Sequence, residues 1–566
     1  LKPRPRGYII GIGMKKKNKK KMNNSGSVPP PVSGQPGPPQ ERRLKRRDFL
    51  IALAILAAVI WQGLFTMHEI GISWDEPYYF TKAKGDIAWF VNMGKGGAFD
   101  QDTLRHTFGF HPKYDTHPTL FKLIGGVFYF LFRNQMAGFW AYRLSAVTMF
   151  ALLLSLIYLR TGRWRGTAAG LGAVLCLAFM PRVFVDGHIA ATETPLCLFW
   201  FLSVLAFESA GTRRSMIPLA GIAYGLLMSV KFTGFLLPIP LIAWAIIYRR
   251  KNLAFLSVSL LVLGPLIFWL LQPEMWRYPE AGFREFLRIS IKRGDISPVW
   301  VLFLGKLYLK APWYYAPFMT LVTVPVVTLV LFFIGTVKAL AGRFKDSFAA
   351  LCLINFLFFI AITFPRKAPV YDGVRLFLPA FIFLAIIAGY GFAETIRWLA
   401  AKVKASVFLR SVFGGGRWAG ALAGLILAAG VCLPLIRVYP FGLEYYNELI
   451  GGVSGAREAG METTYWWTVL NEDSMASVSK ELPANATIRF YPMRDTLWKL
   501  YQELGFLRTD IMVTEGYDFN YILILSRPYW DSPGFYRTLK VTPSQLTILD
   551  SQKLDGVPLW IFYKRE

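Results

Sequence analysis

The sequence predicts a polytopic α-helical membrane protein of about 11 transmembrane helices, followed by a small external mixed α/β C-terminal domain. Three observations carry that expectation. Apolar stretches close to spanning length, roughly 17–25 residues, recur between Phe49 and Ile436. Basic residues gather in alternate connections between them. Residues 437–566 then turn polar, with short alternating runs. The chain is 54% hydrophobic, with a mean hydropathy of +0.38. In lipid such stretches must be helical, because a free backbone N–H or C=O finds no partner there.

Residues 1–47 read as a flexible basic cytoplasmic tail. Residues 1–50 hold fourteen Lys/Arg against two acidic residues, and 23–40 are rich in Ser, Gly and Pro. The first apolar run begins near Phe49, so no cleavable signal peptide is expected. A transmembrane module over 48–436 follows. Its spans are read at 49–67, 136–159, 168–185, 190–207, 216–230, 235–248, 254–271, 316–337, 347–363, 376–398 and 417–436. Two long loops interrupt them, at 68–135 and 272–315. With the amino terminus inside, the basic connections Arg160–Arg165, Arg213–Arg214, Arg249–Lys251, Lys338–Lys345 and Lys402–Arg417 all fall inside as well. The expectation is a multi-pass protein of the bacterial inner (cytoplasmic) membrane with a cytoplasmic amino terminus. Both long loops and residues 437–566 then lie on the periplasmic or extracellular side.

The net charge of +28 is accounted for by this topology and by attraction of the lysine run at 15–21 to anionic lipid headgroups, so nucleic acid is not an expected partner. The four cysteines lie in apolar segments without CxxC spacing and read as buried side chains. In the C-terminal region, Ala486–Tyr491 alternates like a half-buried strand and Tyr521–Leu525 reads as a buried one. Leu497–Leu504 reads as a helix stopped by Gly505, with Asp495 placed to cap it. No internal repeat marks a two-halved transporter.

Polar residues concentrate on the side opposite the basic connections. Trp74-Asp75-Glu76 follows the first span. Either Asp75 is a general base with Glu76 supporting it, or both are solvated carboxylates capping a helix at Pro77. Asp115 and His117 close the same loop, where Asp115 or Thr116 can instead cap a helix from Pro118 to Phe132. His106 and His111 share this loop, but their spacing matches no zinc pattern. Arg143 inside the second span needs a partner. Glu193, at the start of the fourth, can pair with it or bind a cation. Asp186 closes the third span. Lys231, Arg366 and Arg375 suit a phosphate headgroup, or act as interfacial anchors.

At these residues the chain resembles the protein mannosyltransferase-like family of integral membrane glycosyltransferases, with the multispan C-type (GT-C) fold. The resembling pieces are Asp75-Glu76, DTHPTLFKL at 115–123, ATETPL at 191–196, RLFLP at 375–379 and VYPFGLEYYNELIGG at 438–452. Thr119 stands where the family has a second proline after His117-Pro118. The resemblance implies transfer of a sugar from a polyprenyl-phosphate donor, with Asp75 as catalytic base and Glu76 in support. Asp115, His117, Asp186 and Glu193 would lie on the acceptor side. Arg375, Lys231, Arg366 and Arg143 would serve the lipid phosphate. A divalent cation (Mg2+, Mn2+ or Zn2+) stays open, with Glu76, Asp115, His117 and Glu193 as candidate ligands. Glycan, lipid and protein acceptors all remain open, as does a monomer or small homo-oligomer. A different lipid-linked phosphoryl or oligosaccharide transferase, or a transporter of lipid-linked substrate, is the competing reading.

Overall fold

A computed structural model describes residues 41–566 apart from 111–114, 297–298, 343–344, 366–367, 369, 407–415, 494 and 528–532. These residues fall within one compact unit, Gln40–Glu566. The protein is a polytopic helical membrane protein. Among the described residues, six helices are long and apolar enough to cross a membrane, or seven if one bent pair is a single span.

The first half of the chain forms α1 (Arg46–Glu69), α2 (Glu76–Asn92), α3 (Gln101–Phe108), α4 (Leu120–Phe132), α5 (Gly138–Arg165), α6 (Thr167–Ala178), α7 (Pro181–Asp186), α8 (Glu193–Ala210), α9 (Ile217–Met228), α10 (Pro238–Ile247) and α11 (Leu253–Leu270). Beyond the second long loop, with α12 (Pro279–Ile291), α13 (Arg293–Ile296) and the hairpin β1 (Val301–Phe303) and β2 (Lys306–Tyr308), come α14 (Tyr315–Thr323), α15 (Val326–Ala341), α16 (Ser347–Ala361) and α17 (Ala380–Ala405). A last long helix spans Gly416–Val438.

Helices lie at the positions of the expected spans; four of those positions hold shorter apolar helices, Thr167–Ala178, Arg214–Met228, Phe232–Ile247 and Ser347–Ala361, and two expected spans are broken. The third expected span, 168–185, is not continuous: α6 ends at Ala178 and α7 restarts at Pro181 after an extended Met180. The eighth, 316–337, is broken between α14 and α15 with a bend of 113°. Both breaks stand immediately before or at a proline, Pro181 and Pro325, which forces its predecessor out of helical geometry. Hydropathy runs straight through them and cannot register the break.

Burial separates central from lipid-facing helices. In α1 only 11% of the apolar window is buried inside the protein, against 72% in α5 and α8 and 78% in α17. Trp61, Leu261, Phe333 and Leu425 are accordingly exposed, as apolar side chains facing hydrocarbon must be. Alpha-helix 17 is central because its glycines admit close neighbours. A Cβ on Gly389 would stand 2.4 Å from the Ala169 carbonyl oxygen of α6, and one on Gly391 1.9 Å from that of Leu331 in α15.

The C-terminal residues build a five-stranded sheet in the order β4-β3-β5-β7-β6, from β3 (Thr487–Tyr491), β4 (Met512–Val513), β5 (Tyr521–Leu525), β6 (Leu546–Leu554) and β7 (Val557–Arg565). Strand β3 runs parallel to β4 and β5, and β7 antiparallel to β5 and β6. The segment that leads into this sheet, 460–468, lies against the start of α2. Gly71 N donates to Thr468 O at 3.1 Å and Trp74 N to Trp466 O at 3.2 Å. That contact brings the C-terminal region to the candidate site.

Candidate active site

Asp75 occupies the N-cap position of α2, yet its side chain makes no capping bond. It is committed elsewhere. Its Oδ2 accepts from Arg375 Nη2 at 3.1 Å and from Trp466 Nε1 at 3.0 Å. About a quarter of the side chain, 24%, remains exposed, so the carboxylate is held at one edge and open at another.

Arg375 organises the site. It sits in a short 3-10 turn before α17, reached through Asp372 and Gly373, both with positive φ (54° and 68°). Gly373 is required there: a Cβ would come 2.3 Å from Arg182 Nη1. The Arg375 guanidinium donates through Nε to Glu193 Oε1 at 2.9 Å, through Nη1 to Asp372 Oδ2 at 3.3 Å and through Nη2 to Asp75. These bonds use three of the five N–H groups a guanidinium carries. Glu193 Oε1 also accepts from Lys231 Nζ at 2.8 Å. Two cations and three carboxylates thus form one connected cluster of ion pairs. Burial pushes the Asp372 carboxyl up, against the pull of Arg375.

Asp186 lines a small cavity with Arg182, Asp372, Arg375, Tyr465 and Trp466. Both of its carboxylate oxygens, and Arg182 Nη2, are buried without a hydrogen-bond partner among the described residues. Such groups are expensive unless something polar meets them.

Two expected members stand apart. Glu76 and Arg143 form a fully buried bidentate pair, with Nε to Oε1 and Nη2 to Oε2 both at 2.7 Å. Arg143 also donates to the carbonyls of Met67, Ile70 and Gly71 at 2.6–2.8 Å. All five of its N–H groups are therefore spent on the protein, and none is left for a lipid phosphate. Glu76 completes its own set with Ser73 N at 2.8 Å and Ala190 N at 2.9 Å. The pair fixes the turn between α1 and α2, whose carbonyls have no helical partner.

Asp115 and His117 form a third group. Asp115 caps no helix; α4 starts at Leu120, with Thr119 as its N-cap. Asp115 Oδ2 instead accepts from buried Lys122 at 2.5 Å, and Oδ1 from His117 N at 3.3 Å. The His117 ring meets Tyr79 edge-on at 6.1 Å. Burial, with Lys231 nearby, holds its imidazole well below the usual range, hence neutral. Arg366 and His111 lie outside the described residues.

The four candidate metal ligands accordingly divide into three separate ion-paired groups: Glu76 on Arg143, Asp115 with its neighbour His117 on Lys122, and Glu193 on Lys231 and Arg375. Among the described residues no three His, Cys, Asp or Glu side chains come together to hold an ion. The set does not fit a shared cation.

Sequence reading missed Trp466. Its ring covers the Arg375 guanidinium at 3.6 Å while its N–H reaches Asp75. Trp466 and Trp467 both adopt positive φ, 50° and 68°, a conformation that costs non-glycine residues about 1–3 kcal/mol each. It is maintained by the bond of Trp74 N to Trp466 O, by Trp467 Nε1 donating to Pro492 O at 2.6 Å and by Trp74 packing on Trp467 at 4.2 Å. The one signal in the sequence was TTYWWT at 463–468, an aromatic run in an otherwise polar stretch.

Residues 116–273 match the model of the dolichyl-phosphate-mannose-protein mannosyltransferase family. Over that segment, under a third of its length, the chain is similar to that family. The match covers Asp186, Glu193 and Lys231 directly and begins just after Asp115. A search among curated proteins found no match. Among solved structures, ArnT from Cupriavidus metallidurans is similar in two states. Bound to undecaprenyl phosphate it shows 16% identity and a TM-score of 0.47, and in the apo state 18% and 0.48; each match covers 91% of this chain and 97% of that one. The apo oligosaccharyltransferase of Archaeoglobus fulgidus is similar at 13% identity and a TM-score of 0.45, over 82% of this chain and 60% of that one.

Proposed function

We propose that this mannosyltransferase-like chain is an inverting glycosyltransferase on the outer face of a bacterial cytoplasmic membrane, with its eleven apolar segments embedded in the bilayer. It moves a sugar from a polyprenyl-phosphate-linked donor to an acceptor hydroxyl. The observation that carries this reading is Asp75, a partly exposed carboxylate 3.1 Å from a buried arginine that still has N–H groups to give.

In the proposed reaction Asp75 takes the proton of the acceptor hydroxyl as its oxygen bonds to the sugar anomeric carbon. The bond from that carbon to the phosphate oxygen breaks on the opposite face, so configuration inverts. Negative charge develops on the departing polyprenyl phosphate. Arg375 and Lys231, pre-set by Glu193 rather than by substrate, are placed to stabilise it without reorganising at the moment of reaction. Arg375 suits this role because its fork matches phosphate oxygens.

The test is to give the purified chain, in detergent with native lipids, a panel of polyprenyl-phosphate sugars and a membrane extract, and to follow donor mass. Loss of the sugar with release of polyprenyl phosphate supports the reading. A product carrying the phosphate identifies a phosphoryl transferase instead. Movement of donor across sealed vesicles without covalent change identifies a transporter.

Trp466 gives a sharper expectation. Trp466→Phe keeps a ring over Arg375 but removes the N–H that holds Asp75. Turnover is expected to fall about tenfold, the scale of one charge-assisted hydrogen bond, with KM for the donor little changed. An unchanged turnover would show that Asp75 does not need the indole.

A further inference from the structure

A larger concavity, about 590 Å³, opens between α3 and α12, each in one of the two long loops. It is within the usual range for small-molecule sites. Its wall includes Gln101, Arg105, His106, Phe110, Glu274 and Tyr278. Glu274 is only 8% exposed. Its Oε2 accepts from Phe110 N at 3.2 Å, and its backbone carbonyl from Gln101 Nε2 at 3.2 Å. Gln101 keeps a buried Oε1 without partner among the described residues. Gly109 makes room for this arrangement, since a Cβ there would stand 2.2 Å from Arg105 O and 3.1 Å from Glu274 Oε2. Behind the wall, Trp89 packs edge-on to Phe108 at 5.2 Å and to Trp276 at 6.1 Å, which stiffens it.

The charges lining the hollow nearly cancel. Arg105 makes no ion pair among the described residues and faces Glu274, while Glu285 is satisfied by Arg288 at 2.6 and 2.7 Å. A phosphate would meet carboxylate, and an ammonium would meet guanidinium; both are disfavoured. What the wall offers is a mixture of donors and acceptors with aromatic surface from Phe110 and the exposed Tyr278. Burial pushes the Glu274 carboxyl up to about 7, so near neutrality it both accepts and donates. Vicinal hydroxyls ask for that combination, and the C–H face of a sugar ring asks for the aromatics. The hollow adjoins the loop that carries Asp115 and His117, because Thr119 Oγ1 donates to Gln272 Oε1 at 3.0 Å, two residues before Glu274.

We propose that this hollow binds a neutral carbohydrate, the glycan end of the acceptor. The inference rests on the glycosyltransferase reading and extends it to the acceptor class. The probes are mannotriose, chitotriose and maltotriose, offered to the full chain in detergent and followed by saturation-transfer NMR, with inorganic phosphate added as a charged competitor whose effect is read on the trisaccharide signals. At least one trisaccharide is expected to bind wild type and Asp75→Asn alike. Ala281→Trp, an exposed position on the rim whose substitution fills the hollow without touching the core, is expected to weaken that binding about tenfold or more; Tyr278→Ala is expected to weaken it as well. Binding of no trisaccharide, binding by both rim variants equal to wild type, or displacement of the bound trisaccharide by phosphate would each overturn the proposal. The two readings fail separately. Trisaccharide binding without any donor turnover removes the transferase and leaves the glycan site. Donor turnover with an acceptor KM unmoved by the rim variants removes the glycan site and leaves the transferase.

Discussion

Asp75→Asn is expected to lower sugar transfer by about 10²–10⁴-fold, the range that a positioned general base supplies, while the protein still folds and still binds donor. The substitution is nearly isosteric. An amide oxygen can still accept from Arg375 Nη2 and Trp466 Nε1, at present 3.1 and 3.0 Å from the carboxylate, but it cannot take a proton. Loss of one negative charge leaves Arg375 with Glu193 and Asp372, at 2.9 and 3.3 Å, so the guanidinium stays compensated and the turn that carries it stays in place. The measurement is mass-resolved loss of sugar from the donor, alongside a melting curve and donor binding. Equal turnover in the two proteins would remove Asp75 as the base. Loss of donor binding together with turnover would point to a role in holding Arg375 rather than in proton transfer, and the two outcomes are read from the same samples.

Much of the membrane architecture was legible because apolar length and basic asymmetry are local properties. The positions of α1, α5, α8, α11 and α16 follow from them. The breaks before Pro181 and Pro325 were written in the sequence as prolines, but a hydropathy reading averages over single residues. The site was legible in its membership and not in its pairing. A guanidinium inside a span announces that it needs a partner, so Arg143 was visibly committed to something. Its partner proved to be Glu76, 67 positions away, and Glu193 went to Lys231 and Arg375 instead. Nothing local distinguishes these choices, because each carboxylate is equally able to satisfy each cation. Trp466 lay further out of reach, 391 positions from Asp75. It acts through a backbone bridge between two loops that carry no shared periodicity.

The pairing of Arg143 leads to the largest expected effect on stability. Arg143→Met removes one member of a fully buried ion pair and strips the carbonyls of Met67, Ile70 and Gly71 of their donors. Breaking such a pair costs about 3–5 kcal/mol, because the remaining charge is left buried and unpaired. Arg143→Met combined with Glu76→Gln removes that orphaned charge. The double variant is therefore expected to be more stable than Arg143→Met alone, although Ser73 N and Ala190 N, now at 2.8 and 2.9 Å from the carboxylate, keep only an amide oxygen between them. Arg143→Lys is expected to rescue little, since a point charge cannot span both carboxylate oxygens and three carbonyls. Thermal melts of the four proteins in detergent decide the matter. A melting point unmoved in Arg143→Met, with a raised KM for the lipid donor, would instead return Arg143 to the phosphate. The structural reading requires the opposite order: the melt shifts first, and the donor KM of whatever folded protein remains stays close to wild type. The same knot explains how a lone carboxylate can be held ready beside it. With Glu76 locked by Arg143 at the first turn of α2, the neighbouring Asp75 is presented to Arg375 and Trp466 by a backbone that is already fixed at both ends.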